Sequence, residues 1–338
     1  MSLSIYKQRL LDYFERIYKG DAQRKFTRLF ARWIFATPLN PSTLFPMYSI
    51  VCKDDLDYAV QIPERLGFHV SIESIIQECE SIFQQCVTWE PLSAVKIEDN
   101  GFFSYSQHKL FLNRCTDETI FSILQSFYAI VGNKSIHFAI PPRIIELIPQ
   151  SVELFGSPFN TTAQRYCSPL DIERLYCNSS GTFEFFLTHQ IQDNDVLFAN
   201  PPFVECIMNR LSDLLVTALQ TICNITIYVI LPAWDDEFQD SHGFQNKQRA
   251  FQAHIKLKST VYCKCELLLS RDEFAFYNYF TNQYCRVGNC VMLVLSNAIH
   301  WHYQTASIVQ TWLHLSGKHR EEASSYWKNK EREMNHFS

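Results

Sequence analysis

Apolar positions recur at helical spacing through the first third of the chain and then give way to short apolar runs. Residues 6–19 and 22–36 follow the helical period, and the second places Phe26, Leu29, Phe30 and Trp33 at i, i+3, i+4 and i+7 for burial. Its other side carries Arg24, Arg28 and Arg32, which with Lys25 form a basic stripe able to position RNA phosphates, or simply a solvated face. Prolines 38, 41 and 46 stop this helix, and a further helix over 70–86 and a hairpin over 100–113 are predicted after it. Residues 1–130 thus read as a mainly helical accessory region.

From about residue 135 the pattern predicts strands at Ser135–Ile140, Val152–Gly156, Thr182–Leu187, Val196–Ala199, Ile225–Leu231, Val261–Leu269 and Val291–Ser296, with helices over 142–149, 204–222 and 244–257 between them. Seven strands alternating with helices, ending in a closely spaced pair, predict an α/β fold: a Rossmann-like class I methyltransferase core over 131–300. Residues 301–338 are expected to form a helical extension whose charged end, KHREEASSYWKNKEREMNHF, is solvated. In such sheets ligands bind beyond the carboxyl ends of the strands.

One segment at that edge carries chemistry. FANPPF, residues 198–203, sets an amide, two prolines and an aromatic ring directly after a strand. Two prolines remove two backbone donors and fix φ twice, so the sheet cannot continue through them. Methylating an exocyclic base amine requires its N–H groups to be held while the nitrogen pyramidalises toward a methyl donor. The Asn200 side-chain oxygen and the Pro201 carbonyl can each accept one N–H, Pro202 stiffens the turn, and Phe203 can stack on the base. An Asp/Asn/Ser-Pro-Pro-aromatic tetrapeptide arises by chance in a chain this long only about one time in a hundred. AIPPR, residues 139–143, has two prolines without the amide or the ring, and reads as a strand end followed by a helix start.

A methyl donor, S-adenosylmethionine, needs a loop after the first core strand. That loop is FGSPFN, where Gly156, Ser157, Pro158, Phe159 and Asn160 are the candidate contacts. An acid at the end of the next strand suits the ribose hydroxyls, and Glu184 is the candidate; a strand-surface carboxylate is the competing reading. Trp234, after strand 225–231, lies on the same sheet edge and is placed to line a base or cap pocket or to pack in the core.

The composition narrows the classes. The chain has 338 residues, 47% hydrophobic and 19% charged, which describes a folded protein. A formal charge of −5 leaves nucleic-acid binding to a local basic face or a shaped pocket. Twelve cysteines show no CxxC pair and no His/Cys ladder, so they read as reduced and mostly buried, and no metal is expected. Cys263 and Cys265 are expected on one face of a strand. Charges at Arg9, Asp12, Glu15 and Arg16 argue against a signal peptide, and no apolar run approaches membrane-spanning length. An intracellular protein, nuclear or cytoplasmic, is expected, with the sequons at Asn133, Asn160, Asn178 and Asn224 unused.

Several blocks in order, ELFGSPFN, YCSPLD, DVLFANPPF, IYVILPAWDD and FYNYFTNQYCRVGNCVMLVLSN, resemble the catalytic domain of the phosphorylated CTD-interacting factor family. Ser157, Pro158, Asn160, Tyr166, Cys167, Asn200 to Phe203, Pro232 and Trp234 fall on family positions over roughly 135–300. The resemblance implies a cap-specific adenosine N6-methyltransferase using S-adenosylmethionine on the 5′-terminal, 2′-O-methylated adenosine of capped mRNA, or on other RNA with a 5′ adenosine. Three features depart from the family: no WW domain is found ahead of the catalytic region, Glu184 lies one place from the family acid, and Ala233 stands where a glutamate is usual. A DNA adenine methyltransferase and a catalytically inactive RNA-binding scaffold are the alternatives.

Overall fold

The computed structural model describes residues 3–17, 71–86, 105–131, 138–233, 252–279, 281–299 and 304–317, with scattered positions between 26 and 50 and Trp301. The described residues of the first region include the helices α1 (Leu3–Ile17), α2 (Ile72–Cys86), α3 (Tyr105–Leu112) and α4 (Glu118–Val131). Their apolar residues follow the helical period, Tyr6, Leu10, Phe14 and Ile17 on α1 and Ile120, Leu124, Phe127 and Val131 on α4, so each buries one stripe. Tyr6 meets Phe83 of α2 edge-on at 5.9 Å. Phe26, Phe30, Trp33 and Ile34 are buried in the same cluster, as the helical period over 22–36 requires.

The α/β region follows. Its elements are β1 (Phe138–Ala139), α5 (Pro142–Glu146), β2 (Val152–Glu153), β3 (Arg165–Tyr166), α6 (Asp171–Tyr176), α7 (Phe183–His189), β4 (Val196–Ala199), α8 (Glu205–Thr221), β5 (Thr226–Pro232), α9 (Gln252–Lys258), β6 (Cys263–Leu269), β7 (Phe276–Asn278), β8 (Gln283–Cys285) and β9 (Cys290–Ser296). Six strands form one sheet in the order β3-β2-β4-β5-β9-β6. β3, β2, β4 and β5 are mutually parallel, and β9 runs antiparallel to both β5 and β6.

β5 and β9 are buried along their whole length, the pattern of strands covered on both faces. Alternation sorts their side chains. Leu197, Ala199, Ile227, Val229 and Leu231 face Met208, Leu211 and Leu215 of α8 and Leu257 of α9, while Phe198, Tyr228 and Ile230 face Ile144 of α5 and Ile308 and Trp312 of the helical segment 304–317. At the sheet end away from the candidate site, the Asn297 amide donates to the Leu219 and Ile222 carbonyls (3.0 and 2.6 Å), and its oxygen accepts the Ile225 N–H (2.8 Å). One side chain thereby joins the end of α8, the start of β5 and the end of β9.

Several expectations are corrected. Thr182–Leu187 is not a strand: Thr182 caps α7, its hydroxyl accepting the Phe185 N–H (3.2 Å), and Phe183, Phe186 and Leu187 bury at helical spacing. The hairpin expected over 100–113 is replaced by α3 over its described part, with Gln107 and Phe111 buried. Among the described residues there are nine strands, not seven, and the first expected strand shrinks to β1 and joins a separate three-stranded sheet, β1-β7-β8. A bulge separates Cys263 from Cys265, so strict alternation does not hold between them. AIPPR does end β1 and start α5, with proline in the first turn. Arg24, Lys25, Arg28, Arg32, Trp234 and the whole charged end lie outside the described residues.

Candidate functional site

β2 lies between β3 and β4, so the chain leaves it in one direction and returns on its other side; such a reversal opens a crevice at the carboxyl ends. Pairing of β2 with β4 sets Glu153 opposite Phe198, and the Leu154 N–H donates to the Phe198 carbonyl (2.8 Å). The register therefore brings the loop after β2, FGSPFN, and the loop after β4, NPPF, side by side at the crevice.

In the second loop the Val204 N–H donates to the Pro202 carbonyl (2.7 Å), closing a tight turn before α8. Asn200 is half-buried, and its side chain makes no hydrogen bond among the described residues; neither does the carbonyl of buried Pro201. A buried residue with an unused acceptor calls for an explanation, and a ligand N–H is one. Phe203 is half-buried, packed against the apolar clusters on both faces of the sheet.

The first loop is closed on itself. The Asn160 side-chain oxygen accepts from the Ser157 N–H (2.7 Å) and the Ser157 hydroxyl (3.0 Å), and the Gly156 N–H donates to the Cys167 carbonyl (2.9 Å). Gly156 packs closely: a Cβ there would stand a tight 3.2 Å from the side chains of Thr161 and Tyr166. Pro158 is buried, and Phe159 is fully buried in the helical cluster, stacked on Phe111 of α3 at 5.4 Å and 12° and edge-on to Tyr128 of α4. The helical region thus forms the floor of this loop.

Two buried acids beneath the loop were not singled out from the sequence. Glu153 accepts from the Thr161 hydroxyl, and burial raises its carboxyl to about 7 against the lowering effects of that bond and of Arg114. Glu173 accepts from the hydroxyls of Tyr128 (2.7 Å) and Ser168, and burial likewise raises it to about 7. Arg114 donates to the Ala163 carbonyl (2.6 Å) and lies over the Tyr166 ring at 4.6 Å. In the sequence Glu153 sits in an apolar strand, SVELF, covered on both sides; that placement was the available signal.

Glu184 falls elsewhere than expected. It is in the first turn of α7 and pairs with Arg210 of α8 (3.3 Å), so the reason for assigning it to a ribose, a strand end, does not hold. Among the described residues no group of three or more His, Cys, Asp or Glu side chains could hold a metal ion, and no helix is long and apolar enough to cross a membrane.

No match is found among curated proteins. A protein-family model described as phosphorylated CTD interacting factor 1 WW domain matches residues 102–277, just over half of the 338-residue chain. That span covers α3, α4 and the α/β elements as far as β7, including both crevice loops. Its description names a WW domain, while the matched residues contain four of the five motif blocks that carry the resemblance; the fifth, residues 276–297, lies almost entirely beyond the match. With more than half its length matched, the chain belongs to the phosphorylated CTD interacting factor 1 family.

Proposed function

We propose that the chain is an S-adenosylmethionine-dependent adenine N6-methyltransferase acting on RNA, with the 5′-terminal, cap-adjacent adenosine of mRNA as its substrate inside the cell. The observation that carries this reading is the pairing of β2 with β4, which sets two acceptors with no partner among the described residues beside a second loop at the crevice. Membership of the family supports the methyltransferase and cap theme. The parallel strands with antiparallel β9 inserted between β5 and β6 support a Rossmann-like methyltransferase core.

In this reading the Asn200 Oδ1 and the Pro201 carbonyl each accept one N6–H. Holding both hydrogens favours a pyramidal nitrogen whose lone pair is withdrawn from conjugation with the ring and directed at the methyl group, and the positive charge that develops on N6 meets acceptors already in place. Phe203 fixes the plane of the base from a turn that the two prolines and the Val204 N–H keep rigid. Gly156 to Asn160 form the candidate donor loop, which the buried acids Glu153 and Glu173 brace from beneath through the Thr161, Tyr128 and Ser168 hydroxyls. When bound, S-adenosylmethionine supplies an electrophilic methyl group on sulfur. Alignment then accounts for much of the rate, and no side chain of unusual basicity is needed.

The test offers methyl-labelled S-adenosylmethionine with capped RNA beginning in A, the same RNA uncapped, and an adenine-containing DNA duplex. Label is expected on the capped RNA and should be recovered as N6-methylated adenosine after digestion. Equal label on the uncapped RNA removes cap dependence, and preference for the duplex favours a DNA enzyme. No label, with no cofactor binding by calorimetry, leaves an inactive scaffold.

A further inference from the structure

The connection from β6 to β9 is built on the same edge as the crevice. β6 ends there at Leu269 and β9 starts there at Cys290, which pairs with both Leu269 and Pro232. Between them, the described residues include β7 and β8, which pair antiparallel as a hairpin. Asn289 fastens its base: the carbonyl accepts the Ala233 N–H (3.0 Å) and the side-chain oxygen accepts the Arg271 N–H (2.8 Å).

The two faces of this hairpin differ. Phe276 and Asn278 are buried, and Phe276 meets Trp312 edge-on at 5.4 Å. Alternation turns Tyr277 and Tyr279 to the other face, and Tyr284 is the cross-strand partner of Tyr277. The rings meet edge-to-face, Tyr277 with Tyr279 at 4.9 Å and with Tyr284 at 5.4 Å. Tyr279, the innermost, is buried near the Glu153 carboxylate at the end of β2. Tyr277 and Tyr284 step outward and are only half-buried. On its other flank Tyr277 pairs with Ala139, whose methyl is too small to cover the ring. A row of rings leading from a strand end at the crevice toward solvent suits a single strand whose bases are already unstacked.

We propose that Tyr277 and Tyr284 form a stacking platform for a nucleotide neighbouring the target adenine in single-stranded RNA. This rests on the RNA methyltransferase reading above. Removing either ring weakens RNA binding while leaving the donor site and the acceptor loop intact.

The experiment measures fluorescence anisotropy of a labelled, capped single-stranded RNA whose first nucleotide is A, without cofactor, and initial rates with cofactor. Tyr277→Ala and Tyr284→Ala are each expected to raise the RNA Kd and KM about tenfold, the usual effect of one lost stack. Turnover at saturating RNA, cofactor affinity and thermal midpoint should stay near the parent values, and Tyr277→Phe should bind RNA like the parent. Unchanged RNA affinity in both alanine variants overturns the platform, as does an equal loss in Tyr277→Phe, since a stack needs the ring and not the hydroxyl. If Tyr277→Ala melts early, Tyr284→Ala decides alone. Parent activity with unchanged variants overturns the platform only; a parent that neither binds RNA nor transfers methyl groups overturns the functional reading with it.

Discussion

The two crevice loops start from neighbouring strands and are made rigid in opposite ways. The loop after β4 is stiffened from within, by two prolines and one short hydrogen bond, and leaves an amide and a carbonyl unused among the described residues. The loop after β2 is held from without: Asn160 is occupied by Ser157, and Phe159 is anchored between helices α3 and α4. A loop that must present acceptors to a substrate cannot satisfy them internally, so its stiffness comes from proline. A loop that only has to keep its backbone in place can rely on neighbours. Stability and turnover should therefore separate cleanly between the two.

The largest expected effect is on the packed loop. Phe159→Ala should destabilise the protein by about 3–5 kcal/mol in urea unfolding, as a fully buried aromatic does, whereas Phe203→Ala, half-buried, should lose less than half as much. Equal losses would erase the contrast. Next comes the open loop, where Asn200→Ala should lower kcat by at least about 100-fold, roughly 2.7 kcal/mol of barrier, with cofactor affinity and melting temperature near the parent values. A variant turning over at the parent rate would remove the acceptor from the mechanism.

Smaller effects sharpen the picture beneath the packed loop. Glu153 and Glu173 keep their protons in the fold up to about pH 7, while their ordinary value is 4.5. The native state holds more protons in that window, so their contribution is full below about pH 4.5 and is lost as pH rises to about 7. Each group contributes a slope of at most about 1.4 kcal/mol per pH unit. Glu173→Gln should remove its share, seen as a flatter stability profile in chemical denaturation between pH 5 and 7; an unchanged slope would mean that Glu173 is already ionised there. The smallest effect is expected at Glu184, whose partner Arg210 is largely exposed. Glu184→Gln should change stability by less than about 0.5 kcal/mol and cofactor affinity less than twofold.

What was legible in the sequence follows from burial. β4, β5 and β9 were located to within a residue, because a strand buried on both faces must be an unbroken apolar run. NPPF was legible because consecutive prolines leave the backbone few options. Thr182–Leu187 was misread because TFEFFL fits both periods: alternation suggests a strand, while Thr182 before Phe183, Phe186 and Leu187 is a capped helix. β3 pairs over only two residues and has no period to detect. Glu153 and Glu173 look like ordinary surface acids until packing around them from distant helices is known. The β7–β8 hairpin was quoted only as part of a motif block, since nothing local tells that the β6–β9 connection is built at the crevice edge.

β9 is the last strand of the sheet to be made, yet it is an interior strand, between β5 and β6. Until it emerges from the ribosome, β5 and β6 each present an unpaired edge, and β5 is apolar along nearly its whole length. The C-terminal carbonyls of α8 wait equally long for Asn297, some 75 residues further along. Synthesis of this chain therefore passes through a long interval in which most of the sheet exists without its keystone. Ribosome-bound intermediates that stop short of residue 290 should be the form most dependent on chaperones and most prone to aggregate.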